Sequence, residues 1–383
     1  MIREVGIVGA GWSGFRTITP DLSYKELMYE AAVQAYQEAG IDPRRDVDSF
    51  VTVGEDYNEG VSIFDEYVPD QLGALHRPVQ TIAGEGIHGL AAAVMQILTG
   101  QFDVVVVEAH SKASNILTLP YILAFAFDPV FNRPLAAHPY YVAGMEMQRF
   151  MAETGTSDQE CASVAAKNRG NALLNPLAGY GATVSIDDVL ASDPVAEPLT
   201  RLQCAGHSDG AVVFVLASGE TARALTDTPV WVRGIGWAND SPWLESRSWG
   251  QARYARDAAQ MAYRTASIKS PRSEIDFAEI DDTFAYKELQ HLEALGLCPP
   301  GAAGEWTITG GTELSGEFPV NPSGGALGQG HLLDATGLAR TLEVVLQLRG
   351  EAGQRQIENA QTGLAFGWRG VPTTGGAAVI LGN

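Results

Sequence analysis

Three stretches of the 383-residue chain gather ionisable side chains, two of them among glycines, and each could hold an anion or move a proton. The first is Ala83-Gly84-Glu85-Gly86-Ile87-His88-Gly89, just ahead of an apolar run beginning at Leu90. A helix that starts here turns its free N–H groups, carrying about half a positive charge, toward whatever lies beyond Gly86. That suits a bound anion or a developing oxyanion. The competing reading is a tight strand-to-helix turn capped by Glu85. The second stretch is Glu279-Ile280-Asp281-Asp282-Thr283-Phe284-Ala285-Tyr286-Lys287, where a strand gives way to a helix. Neighbouring strand residues point to opposite faces, so Asp281 and Asp282 are not expected to form a carboxylate dyad. One is expected to face a pocket and the other to cap the helix, with capping by both as the alternative. The third runs from Asn321 to Gly337 and holds Gly324, Gly325, Gly328, Gly330 and His331. Glycine lets the backbone approach a ligand, and His331 is read as opening the long second-half helix.

These stretches need a scaffold, and the chain contains the same scaffold twice. Val5-Gly6-Ile7-Val8-Gly9-Ala10-Gly11-Trp12 returns as Val230-Trp231-Val232-Arg233-Gly234-Ile235-Gly236-Trp237. Ala31-Ala32 and Tyr36 return as Ala258-Ala259 and Tyr263 at a nearly constant offset. Each half then carries a glycine-led apolar helix, and each ends in a Gly-Ala strand, Gly210-Ala211-Val212-Val213 and Gly376-Ala377-Ala378-Val379. Matches in one order argue for duplication, with halves at 1–225 and 226–383. Continuous runs such as Val104-Val105-Val106-Val107 imply strands buried on both faces, hence a largely parallel sheet between helices. The first half is lengthened by a proline-bearing insertion over about 111–200, the kind of excursion that forms lids and binding walls.

Gly9-Ala10-Gly11-Trp12-Ser13-Gly14 fits the dinucleotide fingerprint only on paper. The fingerprint needs a helix at once, and Thr17-Ile18-Thr19-Pro20 postpones one to about Leu22. Forty-six acidic against 25 basic side chains give a net charge of −21. Such a balance disfavours nucleic acid and anionic membrane surfaces, both of which need clustered Lys and Arg. Apolar residues at 45% suffice for a large core and exclude a disordered chain. Cys161, Cys204 and Cys298 have neither a disulfide-framework nor a zinc spacing, so no metal is expected. They read as free thiols in a reducing cytoplasm. No leader is read in the first eleven residues. The greasy run Ile116 to Phe127, broken by Pro120, is too short to span a bilayer.

The whole chain resembles the thiolase superfamily, in particular its sterol-carrier-protein-type and archaeal members. The likeness rests on the duplicated order, the insertion, Ser208-Asp209-Gly210-Ala211, the run from Asp282-Thr283-Phe284 to Cys298-Pro299, and above all Asn321 to Gly337. That last segment is similar to the family's Asn-x-x-Gly-Gly…Gly-His-Pro-x-Gly-Ala-Thr-Gly, with Leu332 and Asp334 replacing its Pro and Gly. The resemblance implies an α/β fold of five layers, αβαβα, with an inserted loop domain. It also implies coenzyme A thioesters as substrates, with no cofactor held by the chain itself.

The family's catalytic thiols are missing. Its nucleophile lies in Cys-x-Ser-Gly; laying Gly89 on that glycine puts Gly86 at the Cys and His88 at the Ser. Its acid/base Cys falls within Gly370 to Gly376, where there is none. Asp281 stands at the family's His or Asn, and of the usual constellation His331 alone remains. Thiolysis through an acyl-cysteine is therefore disfavoured. What remains suits an aldol or retro-aldol step on an acyl-CoA. His331 and backbone N–H groups at Gly86, Gly325 and Gly376 would hold an enolate. Asp281 or Asp282 would move the proton. Thiolase-like aldolases that shorten steroid side chains are similar in lacking the nucleophile. They carry Tyr where this chain has Asp281 and His331, so Tyr286 enters as a substitute donor. An acetyl-CoA acyltransferase using an unusual nucleophile such as His88, and a non-catalytic acyl-CoA-binding subunit, are the alternatives. The resemblance further implies a homodimer paired through a first-half edge strand. It also implies a small zinc-ribbon/OB-fold partner completing a heterotetramer, for which an acidic chain favours a basic face.

Overall fold

The computed structural model describes residues 3–59 and 63–383. Among the described residues eleven strands form: β1 (Val5–Arg16), β2 (Ser49–Val53), β3 (Val79–Ile82), β4 (Val104–Lys112), β5 (Pro194–Ala196), β6 (Leu199–Thr200), β7 (Asp209–Ser218), β8 (Val230–Asn239), β9 (Phe277–Glu279), β10 (Thr362–Trp368) and β11 (Gly375–Gly382). Apart from the β5–β6 hairpin they join in one sheet of order β3-β2-β4-β7-β1-β8-β11-β10-β9. Counted outward from the centre, β1-β7-β4-β2 on one side is matched by β8-β11-β10-β9 on the other. A parallel bridge, Ala278 to Val320, stands where a partner of β3 would lie. The repeat seen in the sequence is thus a repeat of strand order. The seam between halves is short, pairing Gly6 with Trp231 and Ile7 with Val230.

Helix α1 (Tyr24–Ala39) covers the outer face of the first half-sheet. It starts at Ser23, whose N–H donates to the Glu26 carboxylate at 2.9 Å in a capping box. Helices α2 (Gly86–Leu98) and α8 (Thr336–Arg349) meet between the half-sheets, and α5 (Arg253–Ala266) covers the second on its outer face. This is the expected five-layer αβαβα order. Placement explains the composition of α2: most of a helix in the central layer is covered on all sides, and Leu90, Ala91, Ala92, Ala93 and Val94 are all buried, while Met95 and Leu98 in the last turn reach solvent.

The sheet is not largely parallel. Five of its eight strand pairings are antiparallel. The valine runs mark burial on both faces, and helices on both sides produce that whatever the strand direction. The Gly-x-Gly segments also have a structural explanation. Gly9 and Gly11 lie inside β1, where a Cβ would overlap the backbone carbonyls of Ala35 and Ala31 on α1. Gly234 and Gly236 meet Ala262 and Ala258 on α5 in the same way. The motif lets a helix settle on a strand, once per half.

Between β4 and β7 the chain makes its excursion. It contains α3 (Pro139–Thr154), α4 (Asp158–Ala172) and the β5–β6 hairpin. These pack with α6 (Ala285–Ala294) and the outer face of the second half-sheet in a core that includes Phe150, Phe284, Tyr286 and Phe366. Among the described residues no helix is long and apolar enough to cross a membrane.

Candidate active site

Residues from both halves and the excursion meet around one small cavity. Glu85 comes from the start of α2, Leu119 and Tyr140 from the excursion, and Thr283, His331 and Trp368 from the second half. Its free volume is about 40 Å³. Size does not single it out, since a surface groove lined by Lys167, Glu313 and Gln356 reaches about 630 Å³. Only the smaller one gathers the glycine-flanked residues of two motifs.

His331 is held from three directions. Its N–H donates to the Gly206 carbonyl at 2.7 Å, and its own carbonyl accepts from Ser208 N at 3.0 Å. Its ring Nδ1 accepts from the Leu333 N–H at 3.1 Å. A ring nitrogen that accepts cannot carry the proton, so the neutral imidazole has its N–H on Nε2. Burial, with His207 and Arg340 nearby, holds its pKa well below the ordinary histidine value. The His207 ring stands edge-on at 5.6 Å, and burial lowers its pKa to about 4. The wall therefore presents a neutral donor of fixed tautomer. His331 does not open the long helix: it lies between a short helix, α7 (Gly325–Gln329), and α8, which starts five residues later at Thr336.

Glu85 is the residue whose importance the sequence understated. It does cap α2, its Oε1 accepting from Ile87 N at 3.1 Å. Among the described residues its Oε2, which is buried, has no hydrogen-bond partner, while the residue lines the cavity at 3% exposure. Gly337 and Gly367 leave room for it, since a Cβ at either would overlap that oxygen. A buried carboxylate oxygen without a donor, on a residue that lines a cavity together with a fixed imidazole, is an arrangement for accepting a proton from a ligand.

The other expected residues lie elsewhere. Asp281 pairs with Arg340 at 2.9 Å and accepts from Thr283 N at 3.0 Å. Asp282 accepts from Ala326 N at 2.6 Å, Leu327 N at 3.1 Å and Asn168 Nδ2 at 2.8 Å. Neither lines the cavity. Both turn toward Arg340, and Asp282 caps α7 rather than the helix that follows it in sequence. Burial pushes Asp282 up to about 6. Tyr286 is fully buried and donates to Glu146 at 2.8 Å. His88 bends back over its own turn, its Nδ1 accepting from Glu85 N at 3.4 Å. Gly86 is pressed against Leu338, Gly325 against Asp282, and Gly376 against Phe366; none of the three lines the cavity. A side chain at Gly86 would overlap the Leu338 backbone, so this turn has no room for a cysteine there.

The thiols stay out of this cavity, although Cys204 adjoins it, next to the lining Ala205 and bridged to the lining Phe284. Cys161, Cys204 and Cys298 are free, and none lines the cavity. Cys204 donates to the Thr200 carbonyl at 3.5 Å, and burial pushes its thiol up to about 12. A thiol so protonated is a poor nucleophile.

Residues 238–383 match the family model described as "Thiolase C-terminal domain-like". The chain is 32% identical over 387 residues to "Acetyl-CoA acetyltransferase" of Methanothermobacter thermautotrophicus, covering 99% of each. It is 35% identical over 254 residues to "Sterol carrier protein 2" of Oryctolagus cuniculus, covering 64% of this chain and 45% of that one. Among solved structures it is similar to the "Ltp2-ChsH2(DUF35) aldolase", with a TM-score of 0.85 and 26% identity, covering 99% of this chain and 97% of that one.

Proposed function

The chain belongs to the thiolase superfamily, and from that premise we propose that it makes or breaks the carbon–carbon bond β to an acyl-CoA thioester without forming an acyl-enzyme. The observation that carries this reading is the cavity itself: Glu85, one of whose carboxylate oxygens has no partner among the described residues, and a neutral His331 both line it, and no cysteine does. The similarity to a solved aldolase of the same fold supports it.

In the cleavage direction, Glu85 accepts the proton of the β-hydroxyl group. The oxygen's electron pair becomes a carbonyl, the Cα–Cβ bond breaks, and its electrons pass to the thioester as an enolate. His331 Nε2–H donates to the enolate oxygen. Protonated Glu85 then returns that proton to Cα, which completes a shortened acyl-CoA, frees an aldehyde or ketone and regenerates the carboxylate. The chain supplies every group by itself, and coenzyme A enters only as part of the substrate.

The acetyltransferase relative favours a second reading, CoA-dependent thiolysis. Incubation with a β-hydroxyacyl-CoA and, separately, a β-ketoacyl-CoA with free CoA decides between them. We expect cleavage of the hydroxy substrate without added CoA. Cleavage of the keto substrate alone, dependent on CoA, overturns the aldolase reading. Turnover of neither, by a preparation that binds acyl-CoA, leaves a binding subunit. The similar aldolase is a complex with a DUF35 protein, and we propose a comparable small zinc-ribbon/OB-fold partner with a basic face for this acidic chain, acting on a homodimer in the cytoplasm. Steroid side chains are one candidate acyl group on the same reading.

A further inference from the structure

Besides Glu85 and His331, the cavity is lined by a tyrosine of the first half, Tyr57. It sits on a short turn of helix, Asp56–Glu59, that follows β2. Strands β2 and β3 run parallel, with Val53 opposite Ile82, so the chain leaves both at the same end of the sheet. Tyr57 lies four residues beyond Val53, and Glu85 lies three residues beyond Ile82. Adjacent strands are about 4.8 Å apart, so the two residues reach the cavity from neighbouring strand ends. The carboxyl ends of parallel strands are where α/β sheets commonly hold ligands.

The turn that carries Tyr57 is clamped to the second half on both sides. Glu55, just before it, donates its N–H to Asp334 at 2.9 Å, and its carboxylate accepts from Arg369 Nε at 2.8 Å. Asn58, just after Tyr57, donates from Nδ2 to the two Asp334 oxygens at 3.2 and 3.3 Å. Asn58, Asp334 and Arg369 line the cavity as well, so the ties are made in its wall. The Tyr57 phenol itself makes no hydrogen bond among the described residues. Burial raises its pKa, the Glu55 and Asp334 carboxylates add to the rise, and Arg369 opposes it. The phenol therefore keeps its proton through the neutral range, where it can donate but is no base.

The other tyrosine of the lining is placed differently. Tyr140, with Leu119 and His207, also lines an adjoining surface groove of about 400 Å³, which puts it at the cavity mouth. Tyr57 lines the cavity without lining that groove.

We propose that Tyr57 is a catalytic residue, its phenol donating a hydrogen bond to the β-oxygen from which Glu85 takes the proton. This rests on the acyl-CoA reading above. In cleavage, negative charge grows on that oxygen as its proton leaves and before the Cα–Cβ bond has broken, and a fixed donor stabilises it. Tyr57 gives up no proton. It holds the oxygen as it passes from hydroxyl to carbonyl, while His331 holds the enolate oxygen. In the reverse direction the same hydrogen bond polarises the carbonyl that the enolate attacks.

The test is Tyr57→Phe, which removes the phenol oxygen and leaves the ring. The full chain is titrated by calorimetry with a β-hydroxyacyl-CoA and with the same acyl-CoA lacking the hydroxyl, beside single-turnover cleavage of the first. Tyr57→Phe is expected to bind the hydroxylated ligand roughly fivefold more weakly, the contribution of one neutral hydrogen bond. Affinity for the ligand without the hydroxyl is expected to hold within about twofold. Cleavage is expected to fall by about 10² to 10³, the range for removing one donor to a developing oxyanion, at an unchanged melting temperature. Unchanged affinity for the hydroxylated ligand, equal weakening of both ligands, or cleavage at the wild-type rate overturns the proposal. A wild-type chain that binds both ligands and cleaves neither sinks the aldolase reading alone, and the pair of affinities still decides whether Tyr57 holds the β-oxygen. A wild-type chain that binds neither overturns this proposal and the acyl-CoA reading together.

Discussion

Arg340, in the middle of α8, lies 2.9 Å from Asp281, a residue of the loop that follows β9. The pair joins the central helix layer to the loop leading into α6, and it turns the Asp281 side chain toward α8, out of the cavity lining. Asp282 lies 3.5 Å from the same guanidinium, and its carboxylate also caps α7. The two aspartates are therefore anchors of the site's frame. Replacing Asp281 by Ala leaves Arg340 buried with its weaker partner alone, and the loss of one member of such a pair costs about 3–5 kcal/mol. Urea unfolding is expected to show that loss. Cleavage by the fraction that remains folded at low temperature is expected to stay within about tenfold of the original, far less than the loss expected for a general base. A larger loss of turnover with unchanged stability would return Asp281 to the chemistry.

Glu85 and His331 carry the chemistry in this account, and their variants separate its two halves. Glu85→Gln keeps a side-chain oxygen for Ile87 N but cannot take a proton. Cleavage is expected to fall by about 10² to 10⁴, the range for removal of a general base, while acyl-CoA affinity is retained. His331→Ala removes the enolate donor, and a loss of about 10² to 10³ in kcat is expected. Single-turnover rates with a β-hydroxyacyl-CoA check both. Full activity of Glu85→Gln would show that the proton goes elsewhere.

The pH dependence follows from the direction of each shift. His331 lies well below its ordinary value and His207 near 4, so both are neutral through the physiological range. No inflection of kcat/KM from His331 is expected between pH 5.5 and 8. Because these histidines are held neutral in the fold, the stability they contribute is present above about 6.5 and is lost as pH falls toward 4. The buried carboxylates act in the opposite sense. Burial raises Asp282 to about 6 and, with Glu343 adding repulsion, Glu279 to about 8. Their contribution is present below the ordinary carboxylate range and is lost as pH rises through 6 and then 8. Glu279 accepts from Ser323 N at 2.8 Å and Ser323 Oγ at 2.7 Å, contacts a neutral amide can partly keep. Melting temperature is expected to fall from pH 6 to pH 9 and to fall less in Glu279→Gln. Equal slopes in the two proteins would show that Glu279 is not the group responsible.

How far the sequence revealed this molecule depends on which residues are considered. The duplicated Gly-x-Gly segments, the apolar helices of the central layer and the excursion were all legible, because periodicity and repetition are local signals. The strand direction was not, since double-sided burial looks the same in parallel and antiparallel sheets. The site divided similarly. His331 could be singled out by the glycines around it, and the absence of nearby cysteines could be counted. Glu85 could only be read as a cap, because what makes it more than one is the space left by Gly337 and Gly367, far away in sequence. The direction of Asp281 was equally hidden, being set by Arg340 on another element.

Gly367 offers the sharpest test of that last point. It lies in β10, and the three atoms nearest a Cβ built there all belong to the Glu85 carboxylate. The obstruction is thus the far end of a flexible side chain. Gly367→Ala should be absorbed by a movement of Glu85 at modest cost, within about 1–2 kcal/mol of the original stability and below the range typical of overpacking a rigid core. The displaced carboxylate would no longer sit where a β-hydroxyl proton is taken, and small misplacements of a catalytic group lower rates by up to about 100-fold. A well-folded Gly367→Ala protein that binds acyl-CoA normally and cleaves slowly is the expected result, read by melting temperature, calorimetry and single-turnover kinetics side by side. Normal cleavage by a protein in which a crystal structure shows Glu85 displaced would remove Glu85 from the mechanism.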